Sequence, residues 1–274
     1  MYFCELMINT HCFFDVRTMD GNMKALIFAA GLGTRLKPLT DTMPKAMVPV
    51  GGRPLLQILL EKLRDSGCSR AAVNVHHFAS QIVDCISDNA GFGMDVRVSD
   101  ETDMLLETGG GMKKAVPLLA DSAEAIPVLV HNVDILSNVD LRQFYADASD
   151  RITAGDLGAV LLVSERSTSR YLLFDDDMRL VGWTNVSTGQ VKSPYADLDV
   201  AKCRKLAFSG IQVFNPAILP LMDSWEGKFS IIDFYLSVCD KVAIQGSVID
   251  GMRILDVGKL DSIVAAEEFM KTYY

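Results

Sequence analysis

Three kinds of residue in this chain are spaced for chemistry: glycines bracketed by cations, aspartates that close apolar runs, and a second glycine cluster behind a glutamate. The first group reads Ala29-Ala30-Gly31-Leu32-Gly33-Thr34-Arg35-Leu36-Lys37-Pro38-Leu39-Thr40, followed by Pro44-Lys45-Ala46-Met47-Val48-Pro49-Val50. Glycines at such a turn let backbone N–H groups approach an anion closely, and Arg35 and Lys45 add two cations on a path stiffened by prolines. That combination suits a triphosphate. Taken alone, the glycines equally fit a strand-to-helix turn that needs positive φ, and the cations equally fit a solvated surface. Two other phosphate patterns fail: Leu36 stands where a dinucleotide fingerprint has its third glycine, and the loop lacks the Gly-Lys-Ser/Thr ending of a Walker A motif.

Asp134 closes Val128-Leu129-Val130-His131-Asn132-Val133, and Asp256 closes Ile254-Leu255. A carboxylate at the end of a buried strand can bridge a divalent cation to phosphate oxygens, or simply cap the strand. Glu107-Thr108-Gly109-Gly110-Gly111 precedes a helix predicted from Met112 to Leu119, so its amides are offered to a nucleotide or a sugar. A flexible loop capped by Thr108 is the plainer reading. His76 and His77 end the run Ala71 to Val75, where a nucleotide-facing role and a structural one both fit. Neither looks like a metal ligand, since no further Cys or His lies close by in the sequence.

These residues need strand ends to hold them. From Met23 the chain alternates short apolar runs with longer amphipathic ones, the order of a mostly parallel sheet covered by helices. Strands are predicted at Leu26 to Ala29, Ala71 to Val75, Met94 to Val98 and Val128 to Val130. The intervening helices are expected from Pro54 to Gly67, Ala79 to Ser87 and Met112 to Leu119. Ligands in such sheets sit outside the carboxyl ends of the strands, where the motifs fall. The second half turns β-rich, with strands expected at Ala159 to Val163, Tyr171 to Phe174, Leu180 to Thr184 and Leu206 to Phe214. Helices then follow near Ile231 to Cys239 and Leu260 to Lys271.

Composition narrows the partners. The 274 residues carry 26 Lys+Arg against 35 Asp+Glu, a formal charge of −9 with no cationic stripe, which argues against a nucleic-acid polymer. No apolar run reaches membrane-spanning length, so no membrane partner is expected. Cys4, Cys12, Cys68, Cys85, Cys203 and Cys239 form no Cys-x-x-Cys pair, the pattern of reduced thiols in a cytoplasmic protein. Residues 1–22 lack the basic start and unbroken apolar block of a signal peptide and are read as an N-terminal extension before the regular pattern begins. Its apolar residues are candidates for a homo-oligomer contact.

The loop from Gly31 to Thr40, with Pro44 to Val50, resembles the signature of the sugar-1-phosphate nucleotidylyltransferases, and the likeness runs in order along nearly the whole chain from Met23. The resemblance implies an α/β, Rossmann-like fold: a mostly parallel mixed sheet flanked by helices, the nucleotide-diphospho-sugar transferase fold, with a β-rich sugar-binding lobe. It implies one domain over 23–274, the nucleotide-binding half about 23–140 and the sugar-binding half about 141–274. It assigns Ala30, Gly31, Gly33 and Thr34 to the triphosphate, and Arg35 and Lys45 to holding it and steadying the transition state. His77, Thr108, Gly109 and Gly110 fall to the rest of the nucleotide, Asn185, Ser209 and Gly210 to the sugar, and Asp134 and Asp256 to Mg²⁺.

Two departures stand out. Asn132-Val133-Asp134 replaces the family's Asn-Gly-Asp, and Val181 to Asn185 lacks the Glu-Lys-Pro with which many relatives grip sugar hydroxyls, leaving the sugar open. The implied reaction is in-line attack of a sugar 1-phosphate on the α-phosphorus of a nucleoside triphosphate, releasing pyrophosphate. Leu106 to Gly111 and Phe208 to Ile211 look most similar to N-acetylmuramate-1-phosphate uridylyltransferases, and Val73 to His76 to mannose-1-phosphate guanylyltransferases, so UTP is favoured over GTP. With so short a span beyond the Asp256 motif, a β-helix acyltransferase domain is not expected. Two competing readings are a non-catalytic homologue that binds nucleotide sugar, against which the retained Arg35, Lys45, Asp134 and Asp256 argue, and an NAD-dependent dehydrogenase, which Leu36 disfavours.

Overall fold

A computed structural model describes residues 23–120, 126–155 and 157–274; the expected extension over 1–22, with its oligomer contact, lies outside them. The first strand, β1 (Met23–Phe28), is buried from Met23 to Ile27 because it runs down the middle of the sheet. Its side chains alternate between two cores, Ala25 and Ile27 facing one and Leu26 the other. A strand covered on both faces therefore reads as a continuous apolar run.

A short hairpin of β2 (Pro49–Val50) and β3 (Arg53–Pro54) leads into α1 (Leu55–Asp65). Helix α1 buries Leu55, Leu56, Leu59 and Leu63 and stops where Gly67 takes φ 92°. Then come β4 (Cys68–Val75), α2 (Ala79–Asp88), β5 (Asp95–Asp100), α3 (Glu107–Ala115) and β6 (Val128–Asn132). Strand β1 pairs in parallel with β4 and β6, and β4 with β5, the expected parallel core.

The remaining elements are β7 (Ile135–Ser137), α4 (Leu141–Gly155), β8 (Ala159–Ser164), β9 (Arg170–Phe174), β10 (Leu180–Asn185), β11 (Gln190–Lys192), β12 (Arg204–Phe214), α5 (Ile231–Val238), β13 (Ile244–Ser247), β14 (Ile254–Asp256) and α6 (Asp261–Tyr273). Helix α4 was not expected from the sequence. Its buried Leu141, Phe144, Tyr145, Ala148 and Ile152 have helical spacing, and the Asp140 carboxylate caps it by accepting from the Gln143 N–H at 2.9 Å, so both signals were present.

The ten-stranded sheet runs β11-β10-β9-β12-β6-β1-β4-β5, with β8 also on β12 and β13 on β8. Strand β12 joins the two halves. Its first residues pair with β9, its last with β6 on one side and β8 on the other, all antiparallel, and the register breaks between Phe208 and Gln212. Among the described residues no helix is long and apolar enough to cross a membrane.

Candidate active site

The carboxyl ends of β1, β4 and β6 open into a cavity of about 350 Å³ lined by Phe28, Ala30, Gly31, Lys45, Asn74, Thr108 and Asp134, among others. The loop after β1 is shaped from within. Gly33 adopts a left-handed φ of 61°, and a Cβ there would lie 2.9 Å from the Thr40 methyl and 3.0 Å from Lys45 Cβ. The Thr40 hydroxyl donates to the Gly33 carbonyl at 2.9 Å, folding the loop back so that Lys45 enters the site.

Lys45 Nζ forms a close ion pair with Asp134 Oδ2. Asp256 arrives from the other direction: β14 pairs antiparallel with β7, and the Val257 N–H donates to the Asp134 carbonyl at 2.8 Å. Burial, the Asp134 charge and a hydrogen bond between the two carboxyls raise the Asp256 carboxyl above its ordinary range, with Lys45 and Arg35 opposing. Arg35 is exposed and reaches the same corner; a Cβ on Gly258 would lie 2.7 Å from both Arg35 Nη2 and Asp256 Oδ1. Two cations and two carboxylates, separated by more than 200 positions in sequence, thus converge. Among the described residues no group of three or more metal-ligating side chains occurs, so a cation here would rest on two carboxylates plus substrate and water oxygens.

The other expected residues divide. Ala30 and Gly31 line the cavity, but the amides of Ala29 and Ala30 already donate to Asn74 Oδ1, at 2.6 and 3.1 Å. Thr34 is exposed. Thr108 lines the cavity and accepts from the Ile231 N–H at 3.0 Å, tying α3 to α5. Gly109 and Gly110 sit inside α3, which starts at Glu107 and not at Met112, and their N–H groups point to the Phe229 carbonyl at 2.8 and 3.4 Å. The expected amide-offering loop is therefore a helix turn packed against backbone. His77 is exposed, its ring 4.0 Å from that of Phe78, and neither cavity described here includes it in its lining. His76 is held by the Glu101 carbonyl at 2.7 Å.

A second cavity, about 620 Å³, adjoins the first and shares Glu107 and Ser230 with it. Asn185 lines it, together with Arg166, Arg170, Tyr171, Trp183, Lys192 and Phe208. Ser209 does not; it is buried, donating to the Leu162 carbonyl at 2.6 Å, and Gly210 (φ 80°) has no space for a side chain against Asn132. Ser209 and Gly210 instead make the β12 bulge, which carries Phe208 into the second cavity. Glu107, at the border of the two cavities, holds a left-handed φ of 59°, a strained conformation for a residue with a side chain.

Sequence reading missed the buried pair behind the loop. Asn74 Nδ2 donates to Glu101 Oε1 at 2.8 Å, and Glu101 Oε2 accepts from the Leu106 N–H at 3.0 Å. One side-chain pair thereby fixes both the first loop and the start of α3. Asn74 inside the apolar run of β4 was the available signal, since a buried amide demands partners.

His131, behind Asp134 on β6, is fully buried, with Nδ1 2.8 Å from the Asn132 carbonyl and Nε2 without a partner among the described residues. Burial lowers its pKa from 6.5 to about 4, the bond to Asn132 opposing and the Lys62 charge adding. The unfolded chain therefore binds the proton first, and stability should fall as pH drops from 6.5 towards 4, by up to about 3 kcal/mol from this group. Melting temperatures measured across that interval should decline less steeply for His131→Gln than for the unaltered protein. Equal slopes would show that this imidazole does not set the acid limit.

Comparison with known proteins identifies the family. Residues 24–272 match the family model described as nucleotidyl transferase. An N-acetylmuramate alpha-1-phosphate uridylyltransferase of Caulobacter vibrioides is 30% identical over 253 residues, covering 89% of this chain and 95% of that protein. The protein of the same name from Neisseria meningitidis serogroup B is 39% identical over 127 residues, 46% of this chain and 53% of that one, so the matched stretch spans about half of that relative's length. A solved UDP-glucose pyrophosphorylase complexed with UDP-glucose shares the fold, with a TM-score of 0.70, 16% identity, and coverage of 92% of this chain and 99% of that one. With Lys45 and Asp134 lining the cleft beside the glycine loop and the match running nearly end to end, the chain belongs to the nucleotidyl transferase family.

Proposed function

We propose that this chain transfers the uridylyl group of UTP to the 1-phosphate of N-acetylmuramate, releasing pyrophosphate. At the coarser level it is a sugar-1-phosphate nucleotidyltransferase, joining a nucleoside triphosphate and a sugar 1-phosphate into a nucleotide sugar. The observation that carries the reading is the convergence of Arg35, Lys45, Asp134 and Asp256 beside the Ala30–Gly31 loop. The choice of base and sugar rests on the two uridylyltransferase relatives. UTP is a cytoplasmic metabolite, and we place the reaction there.

A sugar phosphate is ionised near pH 7, so no covalent nucleophile is required, and the protein must align two mutually repelling anions. Lys45 holds phosphate oxygens from the floor of the first cavity, and Arg35 meets the charge that develops on the departing pyrophosphate. The raised Asp256 carboxyl and its contact with Asp134 mark a place that favours an added cation. Asp134 and Asp256 fit Mg²⁺, which when bound supplies charge neutralisation at the α-phosphate. Asn74 and Glu101 keep the loop amides and α3 in register, and the second cavity receives the sugar ring.

Pyrophosphate release tests this directly, with Mg²⁺, the four ribonucleoside triphosphates, and a panel of sugar 1-phosphates including N-acetylmuramate, N-acetylglucosamine and mannose. Release confined to UTP with N-acetylmuramate 1-phosphate is the expected result. Release with GTP and mannose 1-phosphate would reassign both substrates. No release from any pair, with UTP binding intact, would make the chain a non-catalytic binder.

A further inference from the structure

The second cavity carries two arginines that the transfer itself does not use. It shares Glu107 and Ser230 with the first, so on the proposed reading a sugar whose 1-phosphate lay by Lys45 and Asp134 would extend into it. Its charged lining is Glu107, Arg166, Arg170, Lys192 and Asp233. Three of these five are compensated. Lys192 lies 2.7 Å from Asp233 and over the Trp183 ring, 5.4 Å from its centroid, and Glu107 lies 3.3 Å from Lys228.

Arg166 and Arg170 remain. Arg166 Nη2 donates to the Phe208 carbonyl at 3.2 Å, which orients the guanidinium without neutralising it. Arg170 opens β9 opposite Asn185 of β10, and among the described residues its guanidinium has no hydrogen-bond or ion-pair partner. In a chain of net charge −9, this cavity therefore keeps two uncompensated positive charges. A sugar ring and an anion both suit the place: Tyr171, Trp183 and Phe208 supply flat apolar surface, and guanidinium groups bind carboxylates in a bidentate fork.

We infer that Arg166 and Arg170 bind a carboxylate borne by the sugar away from its anomeric phosphate, and so select acidic over neutral sugar 1-phosphates. This rests on the nucleotidyltransferase reading of the site. It names the residues that read the acidic group.

The test compares kcat/KM for N-acetylmuramate 1-phosphate and N-acetylglucosamine 1-phosphate, which differ by the lactyl carboxylate, in the unaltered enzyme and in Arg166→Gln, Arg170→Gln and the double variant. Circular dichroism serves as the folding control. The unaltered enzyme should prefer the acidic sugar, each substitution should lower that preference about 10-fold, mainly through KM, and Arg170→Lys should restore part of it. A preference unmoved by the double substitution, or an unaltered enzyme that works as well on the neutral sugar, would overturn the inference while leaving the nucleotidyltransferase reading intact. Pyrophosphate release with neither sugar and none with any other pair would remove that reading and this one with it.

Discussion

Arg35→Ala is expected to lower kcat by about 10²-fold or more while moving the melting temperature by no more than about 2 °C. Arg35 is exposed, and no hydrogen bond or ion pair ties its guanidinium to the described residues; it reaches the corner at Gly258 beside Asp256, whose charge it feels. A side chain with so little to hold in the folded state has little to lose there. In the proposed reaction its charge would act when pyrophosphate begins to leave, and a fixed cation at that point acts on the transition state more than on the bound substrate. Steady-state pyrophosphate release and a thermal melt on the same sample separate the two effects. An Arg35→Ala enzyme of undiminished rate would sink the assignment. A rate loss matched by a large drop in melting temperature would make the residue structural.

The largest stability effect is expected at Gly110. Alanine is favoured over glycine inside a helix by about 1 kcal/mol, so propensity alone predicts that Gly110→Ala stabilises α3. Packing predicts the reverse. The added Cβ would fall 2.4 Å from the Gly227 carbonyl oxygen and 3.0 Å from Leu106 Cβ, and a backbone oxygen cannot swing aside as a side chain can. Overpacking of this kind costs about 1–3 kcal/mol and sometimes more, so a net fall in melting temperature of about 5 °C is expected. Gly31→Ala is the internal control for space, because nothing lies within 4 Å of its added Cβ. A Gly110→Ala protein that melts higher than its parent would show that propensity wins and that α3 can draw back from the 227–229 segment.

Which parts of this were readable from the residue order follows the physics of range. The parallel strands of the first half were legible because each is a continuous apolar run bounded by turn residues, and α1 and α2 because their apolar residues recur every three or four positions. Helix α4 had the same signal and a capping Asp140, but it lay in a stretch read as β-rich. The loop with Arg35 and Lys45 and the strand-end positions of Asp134 and Asp256 were legible through their motifs. Glu107 to Gly111 was misjudged for a nonlocal reason: a triple glycine looks like a flexible loop until Phe229, Gly227 and Glu101 are placed against it.

The sequence by itself determined the order of most elements, the parallel core around β1, the glycine loop with its two cations and the family resemblance, since these depend on local periodicity and contiguous motifs. Tertiary structure alone decided that Lys45 pairs with Asp134, that Asp256 returns to meet them through the β7–β14 pairing, and that Ser209 and Gly210 shape a bulge and leave the cavity to Phe208. It also decided that Asn74 and Glu101 clasp two loops and that Arg166 and Arg170 stand uncompensated in the second cavity. Each of these depends on which distant side chain occupies a given space and which charge is already paired, and those quantities arise only when strands far apart in the chain become neighbours in one sheet.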